Sequence, residues 1–96
     1  MFLLNVSYIK TPSQVEPHIK AHGEWVAKHL ETGLFLFAGP KKSGLGGVIG
    51  VSTTEKENLM RALAEDSYIQ ADVAEYQIID FDCKVAALSV ESLKRL

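Results

Sequence analysis

The sequence predicts an α+β domain of the ferredoxin-like, split βαβ kind, on the strength of three observations. Phe2, Leu4, Val6 and Tyr8 alternate with Leu3, Asn5, Ser7 and Ile9, the period-two pattern of a strand. Two Ser/Thr-to-Glu capping boxes, Ser13 with Glu16 and Thr54 with Glu57, each stand before a run with helical spacing. Two β-prone runs follow the first helical pattern and one follows the second, so the order reads βαββαβ.

Each element has its own local reason. Thr11-Pro12-Ser13 ends the first strand, and the capping box predicts a helix from Ser13. Within it Val15, Ile19, His22, Val26 and Leu30 share one face, and Gly33 supplies the left-handed residue that ends many helices. Leu34 to Ala38 is a short apolar strand. The loop Gly39-Pro40-Lys41-Lys42-Ser43-Gly44 joins it to a hairpin partner from Gly46 to Ser52. The second helix opens at Thr54 and runs through Leu59, Met60, Ala62 and Leu63 toward Asp66. A separate helical turn is expected over Ser67 to Asp72, and Val73 to Phe81 forms the last strand. The tail from Asp82 to Leu96 fits a helix or an extra strand equally well.

Composition narrows the function classes. A chain of 96 residues is one domain, 1–96, with 82–96 as its tail. No apolar run approaches the ~20 residues of a membrane span, and the N-terminal stretch lacks the basic start and small-residue cleavage site of a signal peptide. Cys83 has no second cysteine to pair with, which favours a reducing, cytoplasmic setting. A net charge of −2 speaks against a broad nucleic-acid surface. RNA-recognition motifs share the βαββαβ order, but the Gly46–Ser52 strand lacks their stacking aromatics. No nucleic-acid or membrane partner is expected.

The strands carry apolar residues on both faces, Leu3 and Ile9 opposite Phe2 and Val6. With both helices on one side, the other face stays wet at about 25 cal/mol per Å² of apolar area. A second copy is the natural cover, and a homodimer packed through its sheets is expected; the tail folding back is the alternative.

Chemistry centres on His22, an imidazole within the apolar stripe of the first helix. There it must find a hydrogen-bond partner, whether as a core side chain or a functional one. Asp66 ends the second helix in the same layer, where an Asp also serves as a turn residue. If the two meet, the carboxylate fixes the imidazole tautomer and makes the other ring nitrogen a general base. The glycine-flanked loop offers Lys41, Lys42 and Ser43 to an anion, although it does not match a Walker A motif. Tyr8 and Trp25 are candidate pocket walls. Trp25 and Tyr76 also suit a planar ligand, as such aromatics equally suit a core or interface. His18 and His22 have the i, i+4 spacing of a shared ion, but no third ligand stands near, and no metal or other cofactor is expected.

The run His22-Gly23-Glu24-Trp25 through Gly33 to Ala38-Gly39-Pro40 resembles the YCII-related (YciI-like) family, as do Ser52-Thr53-Thr54-Glu55 and Glu65-Asp66-Ser67-Tyr68 with Ala71. The likeness covers about Phe2 to Phe81. It implies a dimeric α+β barrel with a pocket between sheet and helices. Its histidine and aspartate fall on His22 and Asp66, as a pair for acid–base chemistry. It further implies a dehydrochlorinase- or muconolactone-isomerase-like activity, a lyase or isomerase reaction on a small acidic carbonyl compound. Two positions depart from the family pattern: Ile19 stands where an arginine is common, and Ser67 where a proline follows the aspartate. A non-catalytic small-anion binding module of the same fold is the competing expectation.

Overall fold

The computed structural model describes residues 1–96. In chain order it holds β1 (Phe2–Tyr8), α1 (Pro12–Thr32), β2 (Phe35–Pro40), β3 (Gly46–Val51), α2 (Lys56–Ala64), α3 (Ser67–Gln70) and β4 (Ala74–Asp80), followed by 3₁₀ turns over Leu88–Arg95. The four strands form one antiparallel sheet in the order β2-β3-β1-β4. This α+β arrangement is consistent with the ferredoxin-like fold that the sequence predicts.

Alternation sorts the sheet into two faces. Phe2, Leu4 and Val6 are buried, and across the ladders Leu4 meets Ile49 and Ile78 while Val6 meets Tyr76. This face packs on Val15 and Trp25 of α1, Leu59 and Leu63 of α2, and Tyr68 of α3, in one hydrophobic core. Gly46 belongs to the same construction. Its φ is +149°, and a Cβ there would run into the Val6 carbonyl, so β1 and β3 approach here as only glycine permits.

The opposite face carries Leu3, Asn5 and Ser7 of β1, with Ile79 beside Leu3 and the Phe37 ring lying over Gly50. Phe37 and Ile79 are each about half exposed, at 48% and 49%. The tail does not cover them. Val85 and Leu88 are 88% exposed, and none of Leu88–Arg95 is buried. The tail is therefore not an extra strand, and of the helix that periodicity allowed it forms only 3₁₀ turns over Leu88–Arg95. Its turns are short and interrupted at Val90, where φ and ψ leave the helical region.

Both helix starts differ from expectation. α1 is capped by Thr11, with Pro12 in the first helical position, and the Gln14 side chain accepts from the Thr11 N–H at 3.1 Å. Ser13 therefore lies inside the helix instead of capping it. α2 starts after Glu55, and Thr53 accepts the Glu55 N–H at 3.1 Å. Gly33 ends α1 at φ +83° as expected.

The buried stripe of α1 is also rotated. Val15, Trp25 and His29 are buried, whereas Ile19 and Leu30 are exposed. Trp25 and His29 turn inward because α2 and its end offer them partners. The Trp25 indole N–H donates to the Ala62 carbonyl at 2.9 Å, and His29 Nε2 lies 2.9 Å from Glu65.

Candidate functional site

The site begins where α3 follows α2. Asp66 caps α3, and its Oδ1 accepts the Tyr68 backbone N–H at 3.2 Å. The same oxygen lies 2.7 Å from His22 Nδ1, and Oδ2 accepts from the Tyr76 hydroxyl of β4. The Asp66 side chain is wholly buried and the His22 side chain 17% exposed. Asp66 acts as an acceptor toward all its neighbours, so the shared hydrogen sits on His22 Nδ1.

Nε2 is then the free nitrogen of the ring. It has no protein partner, and no buried side-chain nitrogen or oxygen is left without one, so Nε2 is open to solvent. Tyr68 fixes the ring plane by stacking on it, with centroids 3.8 Å apart and planes within 6°. Trp25 approaches at 5.4 Å, tilted by 40°. A hydrogen bond on one edge and a parallel ring on one face hold the imidazole in a single orientation.

His22 opens onto a cavity of about 350 Å³ between α1 and the sheet, a size suited to a small molecule. Ile19 and Val26 line it from α1, Val6 and Tyr8 from β1, and Ala38, Gly39 and Pro40 from β2. Its polar side chains are those of Tyr8, His22 and Tyr68, and no lysine or arginine borders it. The Tyr8 and Tyr68 hydroxyls lie 3.3 Å apart.

The structure thus brings together His22, Asp66 and Tyr8 from the sequence-derived candidates. It places the others elsewhere. Lys42 and Ser43 are exposed on the β2–β3 loop, outside the cavity lining, and Lys41 donates to Ser7 at 3.0 Å. Trp25 touches the His22 ring from within the core and does not wall the cavity. Tyr76 is half-buried beneath Asp66 instead of presenting a stacking surface. Its role was readable only from the face it shares with Val6, one strand away.

Burial, with the Tyr8 hydroxyl adding to it, raises the Tyr68 phenol well above its ordinary 10.0. Burial first and the Asp66 hydrogen bond second raise Tyr76 likewise. Both therefore remain neutral donors. Glu65 shifts the other way: the His29 hydrogen bond, then that of Lys28, holds its carboxyl below the ordinary 4.5.

The consequence for stability has a sign at each end. The tyrosines contribute fully below about pH 10, and that contribution fades as pH rises and the unfolded chain alone releases its protons. The Glu65 contribution is present above about pH 4.5 and fades as pH falls. Urea midpoints measured across pH should fall at both ends. Tyr76→Phe should flatten the alkaline fall and Glu65→Gln the acid one; an unchanged profile in either variant would remove that group from the explanation.

Comparison with known proteins places this geometry in a family. A family model, described as the YCII-related domain, matches residues 1–82, which include every residue lining the cavity and both members of the His22–Asp66 pair. No curated protein and no solved structure matches the chain. The match spans well over half of the sequence, and the chain belongs to the family of YCII-related domains.

Proposed function

We propose that this chain is an acid–base enzyme that moves a proton on a small carbonyl-containing molecule, in an isomerisation or an elimination. One observation carries the reading: His22 lines the cavity, its Nδ1 is tied to a buried carboxylate, and its Nε2 has no protein partner. In that role Nε2 takes the proton from carbon, and Asp66 steadies the imidazolium that results. The same proton then returns to another carbon, or leaves with a departing group. The apolar walls favour such a step because a proton-transfer pair surrounded by few waters interacts more strongly.

The direct test needs no knowledge of the final product. Small carbonyl compounds incubated with the protein in deuterated water are followed by NMR for exchange of the hydrogen beside the carbonyl. Exchange in the wild type, lost in His22→Gln, supports the reading. A ligand that perturbs cavity resonances without any exchange points instead to a binding module.

We also propose that two copies pair through the open sheet faces. Leu3, Phe37 and Ile79 give that face an apolar surface which the tail leaves open. Sedimentation at micromolar concentration is expected to give twice the mass of one chain, and Ile79→Lys to give a monomer. A wild type that sediments as a monomer throughout that range would rule the pairing out.

A further inference from the structure

We infer that the Tyr8 hydroxyl is the donor that receives the oxygen of the ligand, that Tyr68 is the positioning residue behind it, and that the cavity therefore takes uncharged carbonyl compounds which react through an enolate. The inference rests on the acid–base reading of His22 and adds to it the other half of the chemistry, the group that holds the developing negative charge.

Two hydroxyls share a single contact at 3.3 Å, so one of their two hydrogens is left over. Tyr68 is 2% exposed and its hydroxyl has no other partner than Tyr8. A buried donor takes the acceptor available to it, so Tyr68 donates to Tyr8. Both tyrosines border the cavity, but Tyr8 is the more exposed of the two, so the spare hydrogen that a ligand meets belongs to Tyr8. The T-shaped packing of the two rings, with centroids 5.5 Å apart and planes at 89°, holds that arrangement. Because burial keeps the Tyr68 phenol protonated, the chain Tyr68 to Tyr8 to ligand stays oriented, and each bond polarises the next.

Charge selects the ligand class. No cationic side chain borders the cavity, and the carboxylate of Asp66 lies directly behind His22. A carboxylate ligand would meet apolar walls and a nearby negative charge. A neutral carbonyl compound meets neither difficulty. Its negative charge appears only as the C–H bond breaks: the proton goes to Nε2, the C–H electron pair becomes a C=C bond, and the carbonyl π pair moves onto oxygen. That oxygen then accepts from Tyr8 while the new imidazolium stands in the same cavity. The interactions strengthen as the reaction proceeds, which is the condition for catalysis.

The probe is 4-nitrophenol, which has an enol-like hydroxyl and whose phenolate absorbs visible light distinctly from the phenol. At a pH well below the probe's own pKa, where free 4-nitrophenol is the colourless neutral phenol, the wild type is expected to bind it with a visible phenolate band, and benzoate, charged and without a proton to give, is expected to compete poorly. Tyr8→Phe, which keeps the ring packing, should weaken binding about tenfold or more, as loss of a hydrogen bond to a charged acceptor does. Tyr68→Phe should weaken it less, because Tyr8 remains. Circular dichroism checks that each variant is folded.

The outcomes separate the two claims. If Tyr8→Phe binds as tightly as the wild type while His22→Gln loses the phenolate band, the donor assignment falls and the acid–base reading stands. If Tyr8→Phe is weakened while His22→Gln is unchanged, the donor stands and the acid–base reading falls. No binding by the wild type at millimolar probe, or benzoate outcompeting it, overturns the inference without recourse to any variant.

Discussion

Asp66→Ala is expected to destabilise the fold by about 3–5 kcal/mol, because three donors lose their acceptor at roughly 1–3 kcal/mol for each that stays buried and unsatisfied. The size follows from what the side chain holds. Its two oxygens accept from the Tyr68 N–H, His22 Nδ1 and the Tyr76 hydroxyl, and the side chain itself is wholly buried. Alanine leaves those donors facing a void, and each unsatisfied buried group costs roughly 1–3 kcal/mol. It also deletes the cap of α3, which ties α3 to the end of α2. In a chain of 96 residues such a loss lowers the melting temperature by roughly 15 °C or more. Urea denaturation followed by far-ultraviolet circular dichroism measures it. Asp66→Asn should lose less, because the amide oxygen can still accept from Tyr68 and His22 while its NH₂ turns toward Tyr76. A loss below 1 kcal/mol in the alanine variant would mean that water or neighbouring carbonyls replace Asp66 with ease.

How much of this was legible in the sequence varies with how local the cause is. Alternation from Phe2 to Tyr8, Gly33 as a helix end and the helical turn after Asp66 are consequences of neighbouring residues, and they appear where expected. The β2–β3 hairpin does too, although β2 runs on through Gly39 and Pro40, which the sequence assigned to the loop. The two helix caps shifted by one or two residues because Thr11-Pro12 and Thr53 offered competing local geometries. The face of α1 is another matter. Hydropathy places Ile19 and Leu30 on the apolar stripe and leaves His29 off it, but a polar ring is buried readily once its nitrogen has an acceptor, and Glu65 supplies one. Ile19 in turn borders the cavity instead of the core.

The same distinction governs the site. His22 and Asp66 each carry a local signal, a polar residue on an inward stripe and an acid at a helix end. Their meeting depends on how α1 packs beside α3, which no short-range pattern encodes. Tyr76 and Tyr68 depend on it still more, since a tyrosine on a strand or in a short turn reads as core. The β2–β3 loop shows the opposite case. Glycines beside Lys42 and Ser43 resemble an anion cradle in sequence, yet the backbone carries those side chains outward, away from His22. A residue type that suits a ligand has no bearing on a cavity it does not border.

His22→Gln should lower the rate of carbon-bound proton exchange by 10²- to 10⁴-fold, the usual loss when a positioned acid–base group is removed. Stability should change little by comparison, for glutamine can still donate to Asp66 from its amide and cover part of the Tyr68 ring. That contrast with Asp66→Ala is the useful feature, because it divides what the pair does for folding from what it does for chemistry. Asp66→Asn supplies the third point. It keeps an acceptor at Oδ1 but removes the charge that stabilises the imidazolium, so exchange should fall by a comparable factor while most of the folding free energy is retained. The double variant should be scarcely slower than His22→Gln alone, since Asp66 acts on the reaction only through the ring. Exchange rates on the four proteins, measured with one carbonyl compound at saturating concentration, complete the cycle. If the two losses simply multiplied, Asp66 would have a route to the substrate that bypasses His22, and the pair would not be acting as a unit.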